Sequence, residues 1–226
     1  MGIRRTVSLA FLAAAALLSS SCVSMREREM REFDRASLSG MIYDLDQKPC
    51  AGALLLVDGA PGPRSDLNGR FTIAALPRGS HDIRVEKEGY EPLETSIEFL
   101  ERTQVLYLRI TSLDQLLRSA EESLGRQRLQ EADERLRRVE ALDADNPIGM
   151  YLRAIYRLRA QDTDGAVGLL DAILASGHAE PAVYLSLADI YQFRMGDQER
   201  AAEYLREYLA LVNSPDVRAR LESLKP

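Results

Sequence analysis

Pro181–Leu205 reads PAVYLSLADIYQFRMGDQERAAEYL, and the alanines at 188 and 201 in it decide the fold. Ala188 lies 34 residues after Ala154, which lies 34 after Ala120. Ala201 lies 35 residues after Ala166, which lies 34 after Ala132. The first alanine of each pair precedes the second by 12, 12 and 13 residues. Self-similarity at this period marks stacked helix-turn-helix units. A small side chain at a fixed point lets two helices, and the next unit, approach closely. Asn146-Pro147, Ser176-Gly177, Pro181, Gly196-Asp197 and Ser214-Pro215 supply the joints. They divide 112–226 into units at 113–146, 147–180 and 181–214, with a capping helix at 215–224. The third unit carries one extra residue before Gly196.

These units resemble tetratricopeptide (TPR) repeats. Unit 3 carries the pattern best, in Tyr184, Leu187, Ala188, Tyr191, Gly196-Asp197, Ala201 and Leu205. Arg157 and Ser123 stand where that family has an aromatic residue. The resemblance implies a concave groove lined by the first helix of each unit. It assigns Leu117, Glu121 and Leu124 from unit 1, and Tyr151, Ile155, Leu158 and Arg159 from unit 2. From unit 3 it assigns Leu185, Asp189, Gln192 and Phe193. This set is more apolar than a solvated face, and an apolar groove suits an amphipathic helix or an extended segment. Intramolecular packing of part of the stripe is the competing reading. Some members of the family clamp a carboxylate with lysine and asparagine. Leu117, Glu121 and Tyr151 at those positions do not support that specialisation.

Residues 37–111 change character. Short alternating runs separated by turn residues read as an all-β domain of six or seven strands. Strands are expected at 38–43, 53–57, 70–76, 81–87, 93–99 and 104–110. The 58–69 stretch, rich in Gly, Pro and Asp, is expected as a long turn. His81 shares a face with Ile83 and Val85. The segment resembles the carboxypeptidase regulatory-like domain, a transthyretin-like (prealbumin-like) sandwich. The likeness rests on Ser39-Gly40-x-Ile42-x-Asp44, Lys48-Pro49-x-x-Gly52-Ala53, Ser65-Asp66-x-x-Gly69-x-Phe71-x-Ile73, Leu76-Pro77-x-Gly79-x-His81 and Lys87-x-Gly89-Tyr90. A bacterial surface module named for a Pro-Glu-Gly-Ala signature is the second resemblance, through the Leu-Pro-x-Gly and Lys-x-Gly-Tyr turns. Its signature itself is missing. The carboxypeptidase regulatory-like resemblance implies a non-catalytic spacer, folding companion or adhesion module. The expected fold is therefore multidomain, a small all-β sandwich followed by an α-helical TPR-type solenoid.

The chain opens with Arg4-Arg5, an apolar run from Val7 to Leu18, and Ser19-Ser20-Ser21-Cys22. This is the layout of a secretory signal peptide, and the apolar run is too short to span a bilayer. Residues 1–21 are excluded from the fold. The segment resembles a bacterial lipoprotein signal, which implies lipidation at Cys22 and a tether over 22–36. Ser19 stands where that family has leucine, and ordinary cleavage among the serines is the alternative. Val23 follows the cysteine where an inner-membrane retention signal has aspartate. The resemblance thus favours a lipid-anchored protein of the bacterial cell envelope at the outer membrane, on its periplasmic or its surface side.

Without residues 1–21 the chain keeps 35 acidic and 27 basic residues, a net of about −8. That balance argues against nucleic acid, and against electrostatic adhesion to anionic lipid. Cys50 is expected as a buried thiol, since a lipidated Cys22 leaves it no partner in the chain. His81 and His178 fall in different domains. His81 is expected to be structural and His178 solvated. No zinc motif, nucleophile elbow, phosphate loop or dinucleotide fingerprint occurs. The expectation is no enzyme, no catalytic residue, no metal, no cofactor and no small-molecule substrate. The chain reads as an envelope adaptor or scaffold that binds one or more envelope proteins through the TPR groove. The alternative is a cell-wall, glycan or surface-adhesion module using the sandwich, with Tyr43, Tyr90 and Tyr107 as its aromatic supply and the repeats for self-association.

Overall fold

The computed structural model describes residues 35–224, so Cys22 and the signal segment lie outside the described residues. The chain divides into two compact units. One takes residues up to Glu88 and 92–110; the other takes 89–91 and 111 onward.

The first unit holds β1 (Arg35–Tyr43), β2 (Leu54–Val57), β3 (Ala60–Arg64), β4 (Arg70–Pro77), β5 (Gly79–Glu86), β6 (Leu93–Phe99) and β7 (Val105–Arg109). They form two sheets, ordered β4-β1-β7 and β3-β2-β5-β6. β1 and β7 run parallel, and the other pairs are antiparallel. Period-2 alternation sends Ala36, Leu38, Gly40 and Ile42 of β1, and His81, Ile83 and Val85 of β5, to the buried side. Leu38, Ile42, Leu55 and Val85 are completely buried. Each such side chain contributes about 1.5–3 kcal/mol by leaving water. Cys50 is buried too, with its Sγ 3.8 Å from the Lys48 carbonyl oxygen.

The 58–69 stretch differs from the expected turn. Asp58 and Gly59 have φ of 50° and 78°, the paired left-handed geometry of a two-residue hairpin, and β3 follows. β3 lies at the sheet edge, where Pro61 and Pro63 remove no ladder donor that the sheet needs. The remaining turn, after β3, is fixed by side chains. The Asp66 carboxylate accepts the backbone N–H groups of Asn68 and Arg70 at 2.9 and 2.8 Å. The buried Ser65 hydroxyl donates to the Cys50 carbonyl at 2.6 Å and accepts the Ala53 N–H at 2.9 Å.

The second unit is a run of helices: α1 (Leu113–Gly125), α2 (Leu129–Leu142), α3 (Pro147–Arg159), α4 (Thr163–Ala175), α5 (Pro181–Asp189), α6 (Gln198–Leu211) and α7 (Pro215–Ser223). Side chains cap several starts. Ser112 and Gln115 make a reciprocal capping box on α1, and Asn146, Asp162, Asp197 and Ser214 cap α3, α4, α6 and α7. The period-34 alanines are all fully buried. Around Ala120 and Ala132 pack Leu116, Leu117, Leu124, Leu136, Val139 and Leu152. Around Ala154, Ala166 and Ala201 pack Leu170, Ile173, Val183, Leu187, Ile190 and Tyr191. The extra residue of the third repeat is taken up by a π-helical turn, Ile190–Met195, between α5 and Gly196.

Candidate functional site

α3 and α5 run through the repeats one period apart, and side chains of the two helices meet. Tyr151 and Ser186 hydroxyls lie 3.0 Å apart and tie the two helices together. Beside them a cavity of about 270 Å³ is lined by Ile155, Leu158, Ser186, Asp189, Ile190, Phe193 and Arg194. Its apolar side is set by the helical spacing of Ile155 and Leu158. Phe193 stands on the π turn with 69% of its surface exposed. Ile190 is buried beneath it. The charged rim carries Asp189 and Arg194; the Arg194 guanidinium reaches Gln161 at 3.4 Å.

The C-terminal helix closes one end. From α7, Arg220 forms an ion pair with Asp189 at 2.7 Å and donates from Nε to Gln192 at 2.7 Å. Its guanidinium lies 5.1 Å from the centre of the Phe193 ring. Its Nη2 is buried without a hydrogen-bond partner.

The structure thus brings Ile155, Leu158, Asp189 and Phe193 into one concavity, with Gln192 at its α7 end. It does not do so for unit 1. Leu117 and Leu124, expected on the groove, are buried at 7% and 3% exposure in the α1–α2 core. Glu121 alone of that trio is exposed. Arg159 bonds the Leu124 carbonyl through Nη1. Leu185 packs toward the small cluster of Ala188, Leu205 and Val217 under α7. Ser186, Ile190, Arg194 and Arg220 are the lining and closing residues that sequence reasoning missed. The extra residue before Gly196 was the available signal, because it shifts the frame of 190–195.

Carboxylates on the helices differ in their roles. Glu122 pairs with Arg126 four residues on, at 2.7 Å on an exposed surface. Asp133 is only 20% exposed and bonds Arg153 at 2.5 Å. Arg153 is itself buried, also bonds Glu140 at 2.6 Å, and lies 5.2 Å over the Tyr156 ring. Burial opposes its charge, but the two carboxylates outweigh that and raise its pKa further. This trio joins repeat 1 to repeat 2.

In the β unit His81 is buried and doubly bonded. Its Nδ1 lies 2.7 Å from an Asp58 carboxylate oxygen and its Nε2 2.9 Å from the Pro77 carbonyl. Burial works against the imidazolium, yet the Asp58 and Pro77 hydrogen bonds prevail and raise the His81 pKa. Asp58 is lowered, first by the hydrogen bond from His81 and then by the Asp82 N–H. Both ring nitrogens are engaged in tying the β2–β3 hairpin to the β4–β5 turn. His178 is exposed, with Nδ1 3.1 Å from the Ser176 hydroxyl.

A family model, the PEGA domain, matches residues 70–112, the part that holds the Leu-Pro-x-Gly and Lys-x-Gly-Tyr turns. Among solved structures, the type III secretion chaperone SycD of Yersinia enterocolitica, in complex with a peptide of the translocator YopD, is similar. It is 18% identical over 50% of this chain and 88% of that chain, with a TM-score of 0.43. The first TPR of Spaghetti (RPAP3), bound to an HSP90 peptide, is 17% identical over 50% of this chain and 89% of that chain, with a TM-score of 0.44. A streptococcal ancillary pilin is 19% identical over 35% of this chain and 30% of its own length, with a TM-score of 0.29. No curated protein matches the chain significantly.

Proposed function

We propose that this chain is a non-enzymatic adaptor or scaffold of the bacterial envelope, anchored by lipid on Cys22, whose helical repeats hold a segment of a protein partner. The observation that carries the reading is Phe193. A large aromatic ring, 69% exposed, stands beside Ile155 and Leu158 over a concavity of about 270 Å³. Exposed aromatic anchors beside an apolar pocket are the usual centres of interfaces. Asp189 and Arg194 supply opposite charges at the rim, which fix the register of an incoming segment more than they add affinity. The sandwich acts as the spacer between anchor and repeats. The anchor itself rests on the Arg4-to-Cys22 signal.

The test is affinity capture from crosslinked native membranes, read by mass spectrometry. Full-length protein is compared with a form lacking 112–226 and with full-length L158D/F193D checked for native circular dichroism. An envelope protein captured by the first and lost from both others identifies the partner of the groove. Capture that survives loss of the repeats assigns binding to the sandwich and sinks this reading.

A further inference from the structure

The outward face of the β4-β1-β7 sheet is cationic and aromatic within an acidic protein. Strand register aligns Arg70, Met41 and Tyr107 in one row across β4, β1 and β7. Thr72, Ser39 and Val105 form the neighbouring row, and Tyr43 pairs with Arg109 in the row beyond. Arg35 opens β1 on the same face. The alternate positions of β1 are the buried ones, so these residues point outward. Tyr107 is 66% exposed and Val105 48%. The three strands contain no acidic residue.

Many arginines elsewhere in the chain are held by carboxylates. On the other sheet, Arg84 is held by Glu86 at 2.7 Å and Glu94 at 2.5 Å. Arg126, Arg137 and Arg138 in the helical unit are each paired with a carboxylate. Arg35, Arg70 and Arg109 make no side-chain hydrogen bond or ion pair among the described residues. Among the described residues no carboxylate neutralises these guanidinium groups. Arginine suits phosphate because its planar fork donates two parallel hydrogen bonds. Tyrosine suits the boundary between headgroups and acyl chains, with an apolar ring and a polar tip.

Chain length favours the membrane over a soluble anion. Cys22 lies 13 residues before Arg35. Even fully extended, that segment reaches about 45 Å. An anchor at Cys22 therefore keeps this face close to the bilayer at high effective concentration. The rest of the chain carries the acidic excess and is repelled by an anionic surface. We infer that the outward face of β4-β1-β7, through Arg35, Arg70, Arg109 and Tyr107, docks on anionic phospholipid headgroups of the membrane that holds the chain. The inference rests on the anchored reading for its setting.

The experiment uses protein beginning at Val23, so that neither the apolar leader nor an acyl chain contributes. It measures co-sedimentation at low salt with phosphatidylcholine vesicles and with vesicles that also contain phosphatidylglycerol. Binding is expected only to the second kind, and added salt should release it. Each arginine is worth roughly fivefold in partition, so R70E/R109E should lower it by about 25-fold or more. The milder R70Q/R109Q keeps the test valid if charge reversal disturbs folding, and should lose most of the same binding. Equal partition into both vesicle types, no partition, or binding unchanged in the variants overturns the inference. Retention by acidic polysaccharide in place of vesicles overturns it as well. Acyl labelling at Cys22 is a separate readout, so failure of the anchor leaves this result unmoved.

Discussion

At the scale of single residues, the positions that look like signatures in the sequence have steric and hydrogen-bonding causes. Gly40 sits on the buried side of β1, where a Cβ would lie 2.4 Å from both the Leu106 carbonyl oxygen and the Phe71 ring. Gly69 has φ of 74°, and a Cβ there would lie 2.5 Å from the Ile42 carbonyl oxygen. Asp44 accepts the backbone N–H groups of Asp46 and Lys48, closing the turn after β1. Gly40→Ala should therefore cost about 1–3 kcal/mol, because backbone and ring must both move. Chemical denaturation followed by the β-unit signal measures it. His81 adds a pH dependence. Its folded pKa is raised above the ordinary 6.5, so its contribution is complete below that value and is lost as pH rises through the folded pKa. Asp58 is lowered from 3.8, so its contribution is present above that value and lost as pH falls through its folded pKa. The pair is fully effective in the interval between 3.8 and 6.5. Thermal melts at pH 5.5 and 8.5 should show a larger loss of stability in the parent than in His81→Gln. Equal losses would remove the His81–Asp58 bond from the account.

At the scale of elements, the recurring inter-helix turn is strained in two repeats and relaxed in the third. Gln127 and Gln161 have φ of 59° and 64°, and Gly196 fills the matching place at 72°. A non-glycine residue in that region costs about 1–2 kcal/mol, which glycine's greater unfolded entropy offsets in part. Gln161→Gly should thus stabilise the helical unit by roughly 0.5–1 kcal/mol, read as a rise in its melting temperature. α7 offers the opposite case. Val217 is its one buried residue, and Arg220 gives the helix its polar hold on α5 and the π turn. Arg220→Ala should raise hydrogen exchange in α7 while α1–α4 keep theirs. The Asp189 pair is half exposed, so a stability change of no more than about 1 kcal/mol is expected. Much of this architecture was legible beforehand, because periodic alanines and alternating strands report burial directly. β3 was missed because its two prolines argue against a strand, whereas an edge position needs no donor from them. Asp58-Gly59 was a hairpin signal hidden by its Pro and Gly neighbours. Leu117 and Leu124 were placed by family position alone, and the packing of α1 on α2 took them into the core. Arg220 lay beyond sequence reasoning, since only the fold brings α7 to Asp189.

At the scale of the whole molecule, the proposed anchor sets covalent lipid against surface charge. The chain carries a formal net charge of −6 with Arg4 and Arg5 included, and is more acidic without residues 1–21. Such a body is repelled by an anionic bilayer except where Arg35, Arg70 and Arg109 face it. Three arginines give an attraction of only about 3 kcal/mol, which salt screens within about 3 Å at 1 M. Acyl chains behave otherwise: each buried methylene contributes about 0.8 kcal/mol, and salt does not weaken it. The two contributions can be separated in native membranes. Wild-type protein should stay with the membrane through a 1 M salt wash. It should also incorporate labelled fatty acid at Cys22. A form beginning at Val23 has no acyl chains, so the part of its membrane binding that the arginine face supplies should be lost at the first salt step. Fatty-acid label absent from the wild type, together with its release by salt, would make ordinary cleavage among Ser19–Ser21 the correct reading and leave the chain held by surface charge alone.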